Sequence, residues 1–112
     1  MERVAVDALQ QSIAYLLETY GRLDILVNNA GFGGGGLMSS EDMDLEVWDR
    51  TFAVNTRGVM LCIKHALPLL KRQGGSVVNV SSRDGVRGSR PTRSDYVASK
   101  FAVNGLTEAV AQ

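Results

Sequence analysis

Cysteine occurs once, histidine once and proline twice in 112 residues. A single cysteine cannot build an internal disulfide framework, so the composition carries no sign of secretion. One histidine with one cysteine cannot supply a structural zinc site, and no metal is expected. Charge of either sign is not in excess. Twelve Lys and Arg balance twelve Asp and Glu, whereas a nucleic-acid binder carries a basic surplus, so no nucleic-acid partner is expected. No apolar run approaches the length of a bilayer span. The opening MERVAVDALQQ lacks the apolar core of a signal peptide. No membrane partner is expected, and the expected location is cytoplasmic. What is present suffices for folding: 45% of residues are hydrophobic and 21% charged, enough to drive collapse and to exclude disorder. The length allows one small domain.

Apolar spacing predicts the order helix, strand, helix, helix, strand, helix. Leu9, Ile13, Leu16, Leu17 and Tyr20 recur at three and four residues, which marks an amphipathic helix that Gly21 ends. Ile25-Leu26-Val27 is a short apolar run closing in Asn28-Asn29-Ala30-Gly31, and it reads as a strand buried on both faces of a parallel sheet. Ser39 and Ser40 before Glu41, Asp42 and Asp44 predict a helix start. Leu45, Trp48 and Phe52 form that helix's apolar face. A second helical stretch, Thr56 to Arg72, carries Val59, Ile63, Leu67 and Leu70, and Pro68 should bend or loosen its last turns. Ser76 to Ser82 is the second strand. A basic loop from Arg83 to Arg93 follows, and Ser94 or Asp95 should cap the final helix. Strand, helical crossover and strand make a βαβ unit with a parallel pair. Two strands are a poor sheet, and a doubly wound domain has about six, so the sequence reads as the middle of a domain with both ends missing.

Four short elements carry chemistry. In Tyr96-Val97-Ala98-Ser99-Lys100 the phenol and the ammonium share a helical face one turn apart. A free phenol ionises near pH 10. A neighbouring ammonium favours the phenolate, so the pair could pass a proton to or from an alcohol. Alone, such a pair is usually a packing residue and a solvated charge. Ser81 and Ser82 end an apolar strand, at the side where such sheets bind ligands, and a hydroxyl there could hydrogen-bond a reacting oxygen; a serine pair also caps turns. Asn28-Asn29-Ala30-Gly31 ends the other strand, where small residues let a ligand approach the backbone, or simply form a turn. Asn55 lies where one helical stretch passes into the next and could hold a water through its backbone or side chain.

Taken together and in this order, Leu23 to Gly31, Val54-Asn55-Thr56-Arg57-Gly58, Gly75 to Ser82 and Tyr96 to Lys100 resemble the short-chain dehydrogenase/reductase family over essentially the whole chain. The resemblance implies an α/β fold, a partial Rossmann-like, doubly wound parallel sheet, with residues 1–112 forming one incomplete domain. It implies Tyr96 as catalytic acid–base, with Lys100 favouring its ionised form and hydrogen-bonding the nicotinamide ribose. Ser82 would orient the substrate oxygen, with Ser81 as the alternative because the interval to Tyr96 is one residue longer than the common pattern. Asn55 would hold a water that links Lys100 to solvent. Asn28, Ala30 and Gly31, with Tyr96 and Lys100, would border the cofactor, NAD or NADP. The reaction would be hydride transfer between nicotinamide and a small-molecule carbonyl/alcohol pair. The full-length protein would be a homo-oligomer paired through its long helices.

The family's Gly-rich pyrophosphate fingerprint does not occur. Gly33 to Gly36 follows the wrong strand and does not open into a helix, so it reads as a loop. Without that fingerprint the 112-residue chain is not expected to be active alone. The alternative is a non-catalytic interaction module that pairs with a full-length relative. Arg83, Arg87, Arg90 and Arg93 read as a solvated loop, or as a clamp for an anionic substrate. His65 lacks an evident acidic partner, and Cys62 reads as a small core residue. Ala98, Ala102, Gly105 and Ala109 line the last helix with small side chains, fit for close packing within the monomer or against a second copy.

Overall fold

The computed structural model describes residues 2–33, 38–82 and 93–111. The sequence readings on Gly34 to Gly36 and on Arg83, Arg87 and Arg90 lie outside them. The elements run α1 (Glu2–Tyr20), β1 (Ile25–Asn28), a 3-10 turn (Ser40–Asp42), α2 (Leu45–Phe52), a π-helical turn (Ala53–Arg57), α3 (Gly58–Leu70), β2 (Ser76–Asn79) and α4 (Ser94–Val110). Two compact units result. One holds residues 1–28 and 60–78, the other residues 29–59 and 79–112.

In the first unit, α1 places Val6, Leu9, Ile13, Leu16 and Leu17 on its half-buried side, while Tyr20 is exposed. Gly21 ends the helix at φ 75°, its N–H donating to Leu17 O at 2.9 Å, a left-handed termination open to glycine. β1 and β2 pair in a parallel sheet, with Ser76 N donating to Asp24 O at 2.9 Å where both strands begin. The exposed Arg22 guanidinium binds both oxygens of the Asp24 carboxylate and holds its pKa below the ordinary carboxylate value. α3 buries Ile63, Ala66, Leu69 and Leu70. It runs through Pro68 to Leu70, and Lys71 N still bonds Leu67 O at 3.0 Å. Pro68 sits near the C-terminal end, where few later residues depend on its position, and the helix continues past it. Cys62 is half-buried on α3, and burial pushes its thiol pKa up.

Three expectations are corrected here. β1 is not buried on both faces: Ile25 and Val27 are 60% and 56% exposed while Leu26 is half-buried. The strand therefore alternates, as a strand with one covered face does. β2 ends at Asn79 rather than Ser82. The second helix starts at Leu45, not after Ser40, because Asp44 supplies the cap, accepting from Glu46 N at 2.9 Å; Ser39 and Ser40 enter only the short 3-10 turn.

In the second unit, Trp48 and Phe52 stack at 4.9 Å between ring centroids, whereas Leu45 is exposed and off the apolar face. α2 runs through the π-helical turn directly into α3, and Gly58 N donates to Ala53 O across that turn. The widened turn occupies the place that the sequence marked by Asn55. α4 starts after Arg93, which makes no side-chain cap bond, so neither Ser94 nor Asp95 is its cap. Along α4, Ala98 and Ala102 are half-buried, but Gly105 and Ala109 are exposed. Burial within the described residues therefore accounts for only half of that small-residue stripe. No helix among the described residues is long and apolar enough to cross a membrane.

Candidate active site

α4 presents two neighbouring columns at a spacing of four. Asp95, Ser99 and Val103 form one, and all are buried. Tyr96 and Lys100 form the next. The first column is stitched to α2 and the π-helical turn. Thr51 Oγ1 lies 2.8 Å from Asp95 Oδ2 and 2.8 Å from Val47 O. Asn55 Nδ2 donates to Ser99 Oγ at 3.0 Å, and Thr56 Oγ1 donates to Ser99 O at 3.1 Å. Thr51, Asn55 and Ser99 are each fully shielded from solvent. A buried polar group left without its partner costs about 1–3 kcal/mol, so these bonds fix how α4 is rotated, and with it the azimuth of Tyr96 and Lys100.

Asn55 also clamps the segment that follows β1. Its Oδ1 accepts from Phe32 N at 2.7 Å, and its Nδ2 donates to Phe32 O at 2.9 Å. Both amide hydrogens and one lone pair of Oδ1 are thereby committed. One residue earlier, Gly31 passes close to two site groups. A methyl group there would meet Asn55 Oδ1 and Lys100 Nζ, each at 3.8 Å. Glycine keeps that space open.

Lys100 is only 5% exposed. Its Nζ donates to Val80 O at 3.3 Å and lies 5.7 Å from the Tyr96 ring centroid. With one acceptor among the described residues, this buried ammonium has donors left for further oxygen ligands. The end of the β2 segment is held against α4 by Asn79 Nδ2 donating to Thr107 Oγ1 (2.9 Å) and Ser81 Oγ donating to Lys100 O (3.4 Å). Ser81 is thus spent on the α4 backbone. Ser82 follows it, half-buried in the same unit. On another flank the Arg93 guanidinium lies 4.9 Å from the Tyr96 ring centroid and donates through Nη2 to Gly33 O at 2.7 Å.

Of the residues expected at the site, Gly31, Asn55, Tyr96 and Lys100 come together in one unit, and Ala30 and Ser82 belong to it as well. Ala30 is exposed. Asn28 is buried at the end of β1 in the other unit. Thr51 and Ser99 were not singled out from the sequence as site residues, and Asp95 was read only as a possible helix cap. Their signal is there: two polar residues four apart on each of two helices, Thr51 with Asn55 and Asp95 with Ser99. Polar side chains at that spacing share a face, and only a second polar face makes such a face buriable. No cluster of His, Cys, Asp and Glu among the described residues could hold a metal.

The sequence profile described as short chain dehydrogenase matches residues 3–112. The chain belongs to the short-chain dehydrogenase family. Among curated relatives, it is 41% identical over 105 residues to a 3beta-hydroxysteroid dehydrogenase of Mediterraneibacter gnavus, covering 94% of this chain and 37% of that protein. It is 48% identical over 109 residues to an uncharacterised oxidoreductase of Thermotoga maritima, covering 96% and 42%. A crystal structure of an NAD+-bound xylitol dehydrogenase superposes with a TM-score of 0.87 at 28% identity, covering 95% of this chain and 40% of that one. This short-chain dehydrogenase chain therefore spans about two-fifths of such relatives, and its α/β architecture is that of a partial Rossmann-like fold.

Proposed function

We propose that this chain carries the proton-handling part of an NAD(P)-dependent oxidoreductase that interconverts a small-molecule carbonyl and its alcohol. The observation that carries the reading is the Tyr96–Lys100 column of α4, with the buried Lys100 ammonium held at the end of the β2 segment by Val80 O. Tyr96 gives its phenolic proton to the substrate oxygen in reduction and takes it back in oxidation. Ser82 hydrogen-bonds the same oxygen and orients it. Lys100 sets a positive charge beside the phenol. With its side-chain amide hydrogens committed to Phe32 O and Ser99 Oγ, Asn55 holds a water by its main-chain carbonyl. That carbonyl lies in a π-helical turn, a departure from the regular ladder of the kind found at functional sites.

The residues fit a nicotinamide cofactor. Lys100 Nζ carries three hydrogens, of which Val80 O takes one among the described residues, leaving donors for ribose hydroxyls. The open space at Gly31 lies beside that ammonium. Gly31, Ala30, Tyr96 and Lys100 would border the cofactor, and Asn28 would support the strand that leads to them. When bound, the nicotinamide supplies or accepts the hydride. The same reading makes the whole protein a homo-oligomer; exposed Gly105, Ala109 and Phe101 on α4 support it.

A chimera tests this. The matching segment of the Mediterraneibacter gnavus 3beta-hydroxysteroid dehydrogenase is replaced by this chain, and turnover is followed by nicotinamide absorbance. The chimera is expected to be active, and Tyr96→Phe to lower kcat by about 10²–10⁴-fold with unchanged circular dichroism. A folded chimera that is inactive, or one unaffected by Tyr96→Phe, overturns the proposal.

A further inference from the structure

Arg93 is the one member of the basic segment before α4 that lies among the described residues, and the proton transfer proposed above makes no use of it. Its guanidinium is fixed rather than solvated. It lies 4.9 Å from the Tyr96 ring centroid, and Nη2 donates to Gly33 O at 2.7 Å. Gly33 is shaped to that contact: a methyl group built on it would collide with Arg93 Nη2. The guanidinium thereby joins the segment after β1 to the start of α4.

Among the described residues its charge is unanswered. No carboxylate among the described residues lies within ion-pair distance of Arg93. Asp95, two residues on, is engaged with Thr51. Arg93 Nε is buried and has no hydrogen-bond partner among the described residues. A shielded N–H with no acceptor costs about 1–3 kcal/mol, a cost that an arriving acceptor removes. Guanidinium is the side chain whose planar donor fork matches a carboxylate.

We propose that Arg93 is a specificity-determining residue that binds a carboxylate on the substrate, so that the preferred substrates are small oxo- or hydroxy-carboxylates. This rests on reading Tyr96 as the acid–base, since the guanidinium selects substrates only if the reacting oxygen meets that phenol. A solvated basic loop would leave the guanidinium free of Gly33 and of the Tyr96 ring, and Arg93 is held by both.

The test uses the full 112-residue chain labelled with ¹⁵N, following the Arg93 Nε–H resonance during titration with acetoacetate and, separately, with its neutral methyl ester. Acetoacetate is expected to shift that resonance with an affinity of about 1–10 mM, and the ester is expected to leave it in place. Arg93→Lys, which keeps the charge but lacks the fork, should weaken the acetoacetate response of the Tyr96 and Gly33 amides at least threefold. No shift, equal shifts with acid and ester, or an undiminished response in Arg93→Lys would each overturn the proposal. Tyr96→Phe separates it from the acid–base reading. That variant should keep the acetoacetate response of Arg93 while lowering turnover in the chimera by about 10²–10⁴-fold. Retained turnover refutes the acid–base role alone, and a lost acetoacetate response refutes the carboxylate site.

Discussion

Gly75 shows how one missing methyl group sets a local geometry. It precedes β2, and a Cβ built on it would lie 2.6 Å from Asp24 O and 2.7 Å from Leu70 Cδ2. The first of these is backbone, which a rotamer change cannot relieve. Gly75→Ala should therefore destabilise the chain by about 1–3 kcal/mol in urea denaturation. Gly33→Ala is the contrasting case, because the colliding atom is the far end of a flexible arginine; stability should hold while the Arg93 Nε–H resonance moves. Tyr96, Lys100 and Asn55 were picked out through the family resemblance that four in-order segments carry, not from type and spacing alone, and the structure places all three in one unit. Arg93 was legible only as one of two alternatives. The contacts on which the clamp proposal rests, the Tyr96 ring and Gly33 O, lie 3 and 60 residues away in sequence.

α4 is held by polar bonds more than by apolar area: of its four buried residues only Val103 is hydrophobic. Replacing Thr51 by Val keeps the shape but strips Asp95 Oδ2 of its hydroxyl partner in a shielded site. Thr51→Val should lose about 1–3 kcal/mol of stability, and Thr51→Ser should recover most of it, both read from thermal unfolding. At this scale helices were well foretold because a 3.6-residue period is written in consecutive residues. The π-helical turn was not. It depends on Asn55 finding Phe32 and Ser99, residues 23 and 44 positions distant. The exposed face of β1 was missed for a related reason. An apolar run fits one or two covered faces equally well, and the covering elements are not encoded in the run itself.

For the molecule as a whole, charge and apolar exposure set how it behaves in solution. Formal charges cancel at neutral pH, which removes the mutual repulsion that keeps chains apart. Ile25, Val27 and Val78 are exposed on a two-stranded sheet in the first unit, and two strands alone leave open edges. The chain should therefore self-associate at micromolar concentration in sedimentation velocity. Val27→Lys should raise the monomer fraction with helical circular dichroism unchanged, and a wild type that stays monomeric would contradict this. Acid should weaken the fold at a site that can be named. The Asp24 pKa is lowered chiefly by its hydrogen bonds to Arg22, so the folded state binds a proton there less readily than the unfolded one. The resulting stabilisation is complete above the ordinary aspartate pKa and is lost as pH falls through the lowered value. Asp24→Asn should therefore be less stable than wild type at neutral pH and converge with it in strong acid. The difference should shrink in high salt, because both groups are exposed and the pair is screened.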